Sequence, residues 1–379
     1  MKLRGRLWKL LAVACTVLVF LTGCGNGNSG TKGTSGQSKA ATEEKSTNGG
    51  ASTSATDHSS NDATAGKEET VVSSGQIYEI SLSTPHMSTT PMAQQAAWFA
   101  EEVSKQTNGQ VKINLFFSNA LGPQKDMFTQ LTMGGVEMVM DGTMPVDYYA
   151  KEYGFLAAPF LITSEEHMLA LIDSPIFEGF KEKLKENNIV IGGTCIRSSR
   201  NLVTSEKFQY EGLDSISKMV LRVPDNSLYV KAWETLGASC QILGGGEVYS
   251  SMQTGVINAV EGDWAQQLDM KMPEVGKYLY ETNHVTEFGC IYINKDWIES
   301  LPEDLAQTVL KLADEAMKRS TEQEFQVNDS NKESLISQGM ELIQVDRQAM
   351  IDKVTPVWKE MFENEWTAAT YDEVMGYAK

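Results

Sequence analysis

Arg222 stands in a Leu-Arg-Val-Pro sequence at 221–224, where one cationic side chain lies near the end of a short apolar strand. A guanidinium in that position can face a cleft and hold a carboxylate through two parallel hydrogen bonds, because its donors form a planar fork. The alternative for a single arginine is an ion pair at the protein surface. The residue type therefore indicates a carboxylate-binding site, provided that other polar groups surround it.

Polar residues follow several of the predicted strands directly. In open α/β sheets, ligands bind beyond the carboxyl ends of the strands, so side chains that follow different strands can meet at one site. Each of them alone is more often a turn former or a helix cap, and the prediction depends on their joint occurrence. Trp264 could also stack on a sugar or apolar face of a ligand, or pack in the core. Grouped by strand, the candidates are His86; Asp141 and Thr143; Asn226; and Gly262, Asp263 and Trp264.

The elements that must position these residues alternate along the chain. Alternating apolar residues and β-branched runs predict strands at 76–82, 111–117, 136–141, 188–194, 219–223 and 257–262, and helical patterns lie between them. This alternation predicts an α/β protein with mainly parallel sheets. Residues 76–379 are long enough for two lobes, each with its own hydrophobic core.

Two helices have clear end signals. An alanine-rich face at 93–103 precedes a Thr-Asn-Gly sequence at 107–109, which predicts the end of a helix. The Ser-Leu-Pro-Glu sequence at 300–303 predicts a capping box with proline in the first turn of a long helix.

The N-terminus has the pattern of an exported lipoprotein. Four basic residues precede an apolar core at 10–21, which predicts a signal peptide over residues 1–23. The Leu-Thr-Gly-Cys sequence at 21–24 predicts that the thiol of Cys24 receives a diacylglycerol. A transmembrane anchor is the alternative, but the apolar core is shorter than the roughly 20 residues that span a bilayer. Residues 24–75 are rich in Gly, Ser, Thr and Asn, which predicts a flexible tether.

Composition argues against several function classes. Removal of residues 1–23 takes four of the 32 basic residues and no acidic one, so the formal net charge changes from −18 to −22. A surface this acidic disfavours nucleic acid and anionic lipid as partners. Three cysteines follow Cys24 at wide spacing, and the four histidines are scattered, so the sequence predicts neither a disulfide framework nor a metal site or cofactor.

Several sequence blocks appear in an order that resembles the DctP-type solute-binding proteins of TRAP transporters. The resemblance covers nearly all of residues 76–379 and includes the Leu-Arg-Val-Pro block already described. The other blocks are Thr-Asn-Gly at 107–109, an aromatic-led segment closing on Leu-Gly at 116–122, Ala-Pro-Phe-Leu at 158–161, Glu-Val-Tyr at 247–249 and Gln-Thr-Gly at 253–255.

The resemblance implies a two-lobed, periplasmic-binding-protein-like fold, in which each lobe is a β-sheet flanked by helices and a long helix bridges the lobes. We expect one lobe at about 76–198 plus 287–325 and the other at about 199–286 plus 326–379. Arg222 matches the family's principal carboxylate clamp and Arg200 a second, supporting arginine. Side chains alternate along a strand, so only one of Arg197 and Arg200 should face the cleft if this segment is extended, and we favour Arg200. Gly262 stands where sialic-acid binders carry asparagine, which argues against a sialic-acid ligand.

The implied function is that of a lipid-anchored receptor on the outer face of the cytoplasmic membrane, without enzymatic activity. It would bind an organic acid anion between its lobes and deliver it to the small and large membrane subunits of a TRAP permease. Sugar acids, C4-dicarboxylates and 2-oxo acids all remain open as ligands, with a weak preference for a hydroxylated or ring-bearing acid. The alternatives are a receptor for an ATP-driven importer or a sensor kinase and, more remotely, a secreted enzyme whose common motifs the sequence lacks.

Overall fold

The computed structural model describes residues 75–378, which form an α/β structure with two β-sheets. The signal peptide, Cys24 and nearly all of the tether predicted from the sequence lie outside the described residues. The described strands are β1 Tyr78–Ser83, β2 Val111–Phe116, β3 Met138–Asp141, β4 Ile189–Ile196, β5 Arg200–Thr204, β6 Val220–Val223, β7 Ser239–Ile242, β8 Ala259–Gly262, β9 Tyr278–Val285, β10 Phe288–Asn294 and β11 Glu341–Ile343.

Both sheets are mixed, which corrects the expectation of mainly parallel sheets. The first has the order β2-β1-β3-β10-β4, and the second has the order β11-β9-β5-β8-β6-β7. Strand β10 runs antiparallel to both β3 and β4, and β5 runs antiparallel to both β8 and β9. The six predicted strands all exist within a few residues of their expected ends. The sequence prediction did not include β9 and β10, and it therefore missed part of the antiparallel pairing.

The helices cover the sheets and bridge them. They are α1 Pro91–Gln106, α2 Gln124–Met133, α3 Met144–Tyr149, α4 Glu165–Ile172, α5 Pro175–Lys185, α6 Ser227–Leu236, α7 Val248–Thr254, α8 Trp264–Asp269, α9 Lys295–Ser300, α10 Glu303–Ser337, α11 Arg347–Asn364 and α12 Tyr371–Met375. Helix α1 begins as its sequence suggests, because Thr90 accepts a hydrogen bond from the backbone N–H of Ala93 and Pro91 fills the first position. It ends at Thr107, and Asn108 then adopts a left-handed conformation.

The capping box predicted at the start of the long helix does not form. Ser300 ends α9 instead, and its hydroxyl donates to the carbonyl of Trp297 at 2.6 Å. Pro302, which has no side-chain acceptor, is the N-cap of α10. The 35 residues of α10 nevertheless form one helix that packs on α1 and β4 of the first lobe and on α8 of the second. The bridging helix implied by the resemblance is therefore present.

Three clusters of buried apolar residues form the core. One fills the space between the first sheet and helices α1 and α10, with Phe99 and Leu312 among its members. A second lies against the second sheet around Trp264 and Leu279. The third and largest includes α11, where Trp358 donates its indole N–H to the carbonyl of Pro159. Helix α11 also packs on α6, so the C-terminal region contacts both lobes, and the lobe boundaries given above stay a prediction.

Between residues 75 and 378, no helix combines the length and the apolar character that crossing a bilayer requires.

Candidate functional site

A cavity of about 140 Å³ lies between the two lobes, beyond the ends of strands from both sheets. It brings together most of the residues that the sequence singled out. The predicted residues that line it are His86, Asp141, Thr143, Arg197, Arg200, Arg222 and Asn226. Three buried arginines therefore face one small space, which makes the cavity a candidate anion-binding site.

Arg222 lies on β6, which is paired on one side with β7 and on the other with β8. Its side chain is buried, and its Nε and Nη2 atoms both donate to the carbonyl oxygen of Leu243, at 2.9 and 2.8 Å. Among the described residues, no carboxylate lies within ion-pairing distance of this guanidinium. Burial lowers the pKa of Arg222 to about 10, and the nearby Arg200 adds to this effect. The group remains a cation at neutral pH, and its charge has no direct partner within residues 75–378.

Arg200, in contrast, is neutralised within the protein. It lies on β5, where Nε and Nη2 donate to the two carboxylate oxygens of Glu261 on the neighbouring strand β8, the latter at 2.7 Å. Burial alone would lower the pKa of Arg200, but Glu261 outweighs it and raises the pKa well above the ordinary value. For the acid Glu261, burial alone would raise the pKa. The positive charge of Arg200 outweighs burial and lowers the pKa of Glu261 below its ordinary value. The pair is therefore fully ionised and already satisfied.

Arg197 is paired with two acids. Its Nη1 lies 2.6 Å from Glu287 Oε2, and its Nη2 lies 2.9 Å from Asp263 Oδ2. Residues 197–199 belong to no strand, since β4 ends at 196 and β5 begins at Arg200. The alternation of side chains along a strand therefore does not apply to this segment, and Arg197 and Arg200 both line the cavity.

Neutral and weakly acidic groups complete the inner wall. His86 is buried, and burial together with Arg197 and Arg200 lowers the pKa of its ring well below the ordinary value, so the ring is neutral. Its Nε2 atom has no hydrogen-bond partner among the described residues. Asp141 accepts from the side-chain amide of Gln124 at 3.0 Å and from the N–H of Gly142 at 2.7 Å. Burial raises the pKa of Asp141 to about 6.

Two predicted residues combine a cavity position with a role in the local backbone structure. Thr143 donates its hydroxyl to Glu287 Oε1 at 3.4 Å. Asn226 is the N-cap of α6, and its Oδ1 accepts from the backbone N–H groups of Leu228 and Tyr229. The sequence left open whether Asn226 caps a helix or lines the site. In the structure it does both.

The last three candidates, Gly262, Asp263 and Trp264, lie behind the cavity wall. Asp263 caps α8 and holds Arg197, and Gly262 packs closely against Gln266 at the end of β8. Trp264 is 1 % exposed in the core cluster of the second lobe and does not line the cavity. The tryptophan wall expected from the sequence is therefore not formed by Trp264, because the first turn of α8 directs this ring into the core.

The structure also adds residues that sequence reasoning missed. Glu287 lies on the short connection between β9 and β10, two strands that were not predicted. Glu261 stands near the Gln-Thr-Gly block, three residues before Trp264, and as a single acid it gave no separate signal. The remaining additions line the cavity from helices and loops, and they are Asn119, Gln124, Met144, Asp147, Tyr229, Gln266 and Met270.

The two lobes touch on both sides of the cavity. On one side, the Tyr148 hydroxyl donates to Asp225 at 3.1 Å, and the Ser227 hydroxyl donates to Asp147 at 2.8 Å. On the other side, the Thr89 hydroxyl lies 3.4 Å from Asp269. A ligand in the cavity would therefore be held between two lobes that already contact each other.

The chemistry available here is recognition of an anion. The guanidinium group of an arginine binds a carboxylate through two parallel hydrogen bonds. The neutral ring of His86 and the side-chain amide of Gln266 can form hydrogen bonds with hydroxyl groups. In residues 75–378, no cluster of three or more His, Cys, Asp or Glu side chains is arranged to hold a metal ion. Cys195 and Cys290 are buried, and burial raises the pKa of both thiols, so neither is a ready nucleophile.

Residues 82–365 match the family model described as bacterial extracellular solute-binding protein, family 7, or DctP. A solute-binding protein of Chromohalobacter salexigens is 26% identical over 266 residues, which cover 70% of this chain and 79% of the relative. The C4-dicarboxylate-binding periplasmic protein DctP of Vibrio cholerae is 24% identical over 305 residues, covering 76% and 87% of the two chains.

Solved structures share the fold. A TRAP periplasmic solute-binding protein from a Sulfitobacter species, with bound β-D-galacturonate, superposes with a TM-score of 0.72 at 22% identity and covers 79% of this chain and 97% of its own. The corresponding protein from Roseobacter denitrificans, with bound L-galactonate, gives a TM-score of 0.72 at 24% identity and covers 81% and 100%. Because the family model spans most of the chain and the fold agrees, this protein belongs to the DctP family of TRAP transporter solute-binding proteins.

Proposed function

We propose that this protein is a lipid-anchored receptor that binds an organic acid anion in the cavity between its lobes and delivers it to a TRAP-type permease. The observation that supports the proposal most directly is that the Arg222 guanidinium forms no ion pair within the described residues. Its buried charge has no carboxylate partner among the described residues, whereas Arg197 and Arg200 are both neutralised by acids. A ligand carboxylate would supply the missing partner, since a buried charge is costly unless it is paired.

The charge balance of the cavity favours an acid with one carboxylate. A second carboxylate would need a second free cation, but the other two arginines are occupied by Glu261, Glu287 and Asp263. Oε1 of Gln266 lacks a donor, and the unpartnered Nε2 of His86 donates or accepts according to the ring tautomer; a ligand hydroxyl can serve both atoms in either case. We therefore favour a hydroxylated monocarboxylate such as a sugar acid over a C4-dicarboxylate.

The relatives support the broader ligand class. The Sulfitobacter and Roseobacter proteins hold galacturonate and galactonate, both sugar acids, while the Vibrio relative is named for C4-dicarboxylates. Arg222 can contribute only part of the affinity, because a charge-assisted hydrogen bond adds about 1.5 to 3 kcal/mol and micromolar binding needs about 8 kcal/mol. Hydroxyl contacts and the shape of the cavity must provide the rest and select the acid.

Attachment to the membrane completes the proposed role. Family membership places the protein outside the cytoplasm, and the lipidation motif at Cys24 provides the anchor. Bound acid would leave the receptor chemically unchanged, because the proposed role is capture and delivery and not conversion.

A thermal-shift screen of the full chain would test the proposal. Sugar acids, dicarboxylates, 2-oxo acids and neutral sugars should be compared, because a ligand that binds only the folded state raises the melting temperature by mass action. We expect a shift with a hydroxylated monocarboxylate that is recovered unchanged after incubation. Arg222→Ala should weaken this binding at least about 30-fold, which corresponds to the loss of about 2 kcal/mol from a buried charged contact.

Arg319→Ala is the matched control. Arg319 is an exposed arginine that stacks on Trp98 outside the cavity, so its loss should leave the affinity unchanged. A neutral sugar that binds as well as any acid, or an Arg222→Ala variant with unchanged affinity for the acid, would contradict the assignment.

A further inference from the structure

The cavity at Arg222 adjoins a larger groove. This outer groove has a volume of about 640 Å³, compared with about 140 Å³ for the inner cavity. The two spaces share part of their walls, and the shared residues are Pro85, His86, Asn119, Gly245, Gln266 and Met270. A ligand that is held by its carboxylate at Arg222 and extends past His86 and Gln266 would therefore reach this groove.

The wall of the groove on the first lobe is held in place by backbone hydrogen bonds. The N–H of Ser118 donates to the carbonyl of His86 at 2.9 Å, and the N–H of Asn119 donates to the carbonyl of Thr84 at 3.2 Å. Both donors have positive φ angles, 55° and 58°, which is unusual for residues other than glycine. The loops after β1 and β2 thus form one connected wall.

The groove is present although the lobes are already in contact. The Tyr148–Asp225 and Ser227–Asp147 hydrogen bonds connect the lobes on one side, and the Thr89–Asp269 hydrogen bond connects them at the groove itself. Closing the lobes further would have to displace these contacts. The volume of the groove is therefore space that a bound ligand can occupy.

Tyr249 gives the second lobe an oriented aromatic surface in this groove. Its ring is half-buried against the core of that lobe, and its hydroxyl donates to Glu274 Oε2 at 2.7 Å. The side chains of Met87 and Met270 provide further apolar surface. Aromatic and apolar faces bordered by polar groups are what a sugar ring or an aromatic ring requires of its binding site.

We propose that the protein binds an acid larger than a single sugar acid: a glycoside of a uronic acid, with the acidic ring in the inner cavity and a second ring against Tyr249 in the outer groove. This inference rests on the proposed function, because the carboxylate at Arg222 fixes the position of the first ring. Tyr249 does not line the inner cavity, so it selects for the second ring alone.

Isothermal titration of the full chain would test the subsite. The probes are D-glucuronate and D-galacturonate, their 4-nitrophenyl glycosides, and neutral 4-nitrophenyl glucoside. We expect one acidic glycoside to bind about tenfold more tightly than its parent acid, as a favourable aromatic contact and apolar burial would provide. Tyr249→Ala should remove this gain and leave the affinity for the parent acid unchanged, while Tyr249→Phe should retain most of it.

The possible failures differ from one another. If the parent acids bind but no glycoside binds more tightly, or if Tyr249→Ala weakens both ligands equally, the outer subsite is refuted while the receptor function stands. If the neutral glucoside binds as well as the acidic glycosides, the groove does not act together with Arg222 and the inference is wrong. If none of the acids or their glycosides binds, the inference falls together with the proposed sugar-acid ligand.

Discussion

At the scale of single residues, the three arginines of the cavity differ in their partners and not in their burial. Arg197 and Arg200 are held by Asp263, Glu287 and Glu261, so removing any one of these acids would leave a buried charge without its partner. Arg222 is bonded only to a backbone carbonyl among the described residues. The two paired arginines maintain the shape of the cavity, and Arg222 keeps its charge available for a ligand.

Asp141 makes the stability of the protein depend on pH. Burial raises the pKa of its carboxyl from 3.8 to about 6, so the folded protein binds more protons than the unfolded chain between these values. The stability that this group contributes is present below about pH 4 and is lost as the pH rises to about 6. Relative to the wild type, Asp141→Asn should become more stable from pH 4 to pH 7, by up to about 3 kcal/mol.

Urea unfolding at several pH values would measure this difference. Asp352→Asn, at an exposed position on α11, is the matched control. A stability difference between Asp141→Asn and the wild type that stays constant from pH 4 to pH 7 would show that Asp141 is not held as a weak acid.

At the scale of elements, the paired charges of the site lie where the chain passes between the two sheets. Residues 197–199 connect β4 to β5, and Glu287 lies between β9 and β10. The N–H of Arg197 donates to the carbonyl of Glu287 at 2.8 Å, in addition to the ion pair between their side chains. The charged network thus links the two crossings to each other.

At Gly193, strand β4 packs so closely against the long helix α10 that no side chain fits between them. A Cβ atom at Gly193 would lie 2.5 Å from the carbonyl oxygen of Ala313 and 2.7 Å from the Cα of Asp314, both backbone atoms of α10. Gly193→Ala should therefore force the helix away from the sheet and lower the free energy of unfolding by about 1 to 3 kcal/mol. Chemical denaturation would measure the loss.

Gly246→Ala provides the comparison, because a Cβ atom there meets nothing within 4 Å and the backbone needs no positive φ. This variant should unfold within about 0.5 kcal/mol of the wild type. Equal stabilities of the Gly193→Ala and Gly246→Ala variants would mean that α10 does not rest directly on β4.

At the scale of the whole molecule, α10 connects the crossing segments to both lobes. Glu324 on this helix accepts a hydrogen bond from Ser198 at 2.9 Å, and burial raises the pKa of Glu324 to about 7. The helix therefore contacts the same connection that carries Arg197.

Membrane attachment should depend on one atom outside the described residues. If the thiol of Cys24 carries the lipid, Cys24→Ala should abolish labelling with radioactive palmitate and move the protein from the detergent phase to the aqueous phase in Triton X-114 partitioning. Cys240→Ala is the control, since that thiol lies in the folded domain. A wild-type protein without palmitate label, with both it and Cys24→Ala in the detergent phase, would identify the N-terminal segment as a transmembrane anchor instead.

The sequence alone determined the alternation of strands and helices, the position of Arg222 and the family, because each depends on local periodicity or on short motifs. It also indicated that His86, Asp141, Thr143 and Asn226 could meet, since strand ends gather at one edge of a sheet.

Only the tertiary structure decided which arginine is free and which side chains reach the cavity. The partner of Arg200 is 61 residues away in sequence, and the two partners of Arg197 are 66 and 90 residues away. Trp264 turned into the core because of how α8 packs on the second sheet, which no local pattern specifies. Pairing across such distances depends on how the strands assemble, and the chain sequence carries that information only through the complete fold.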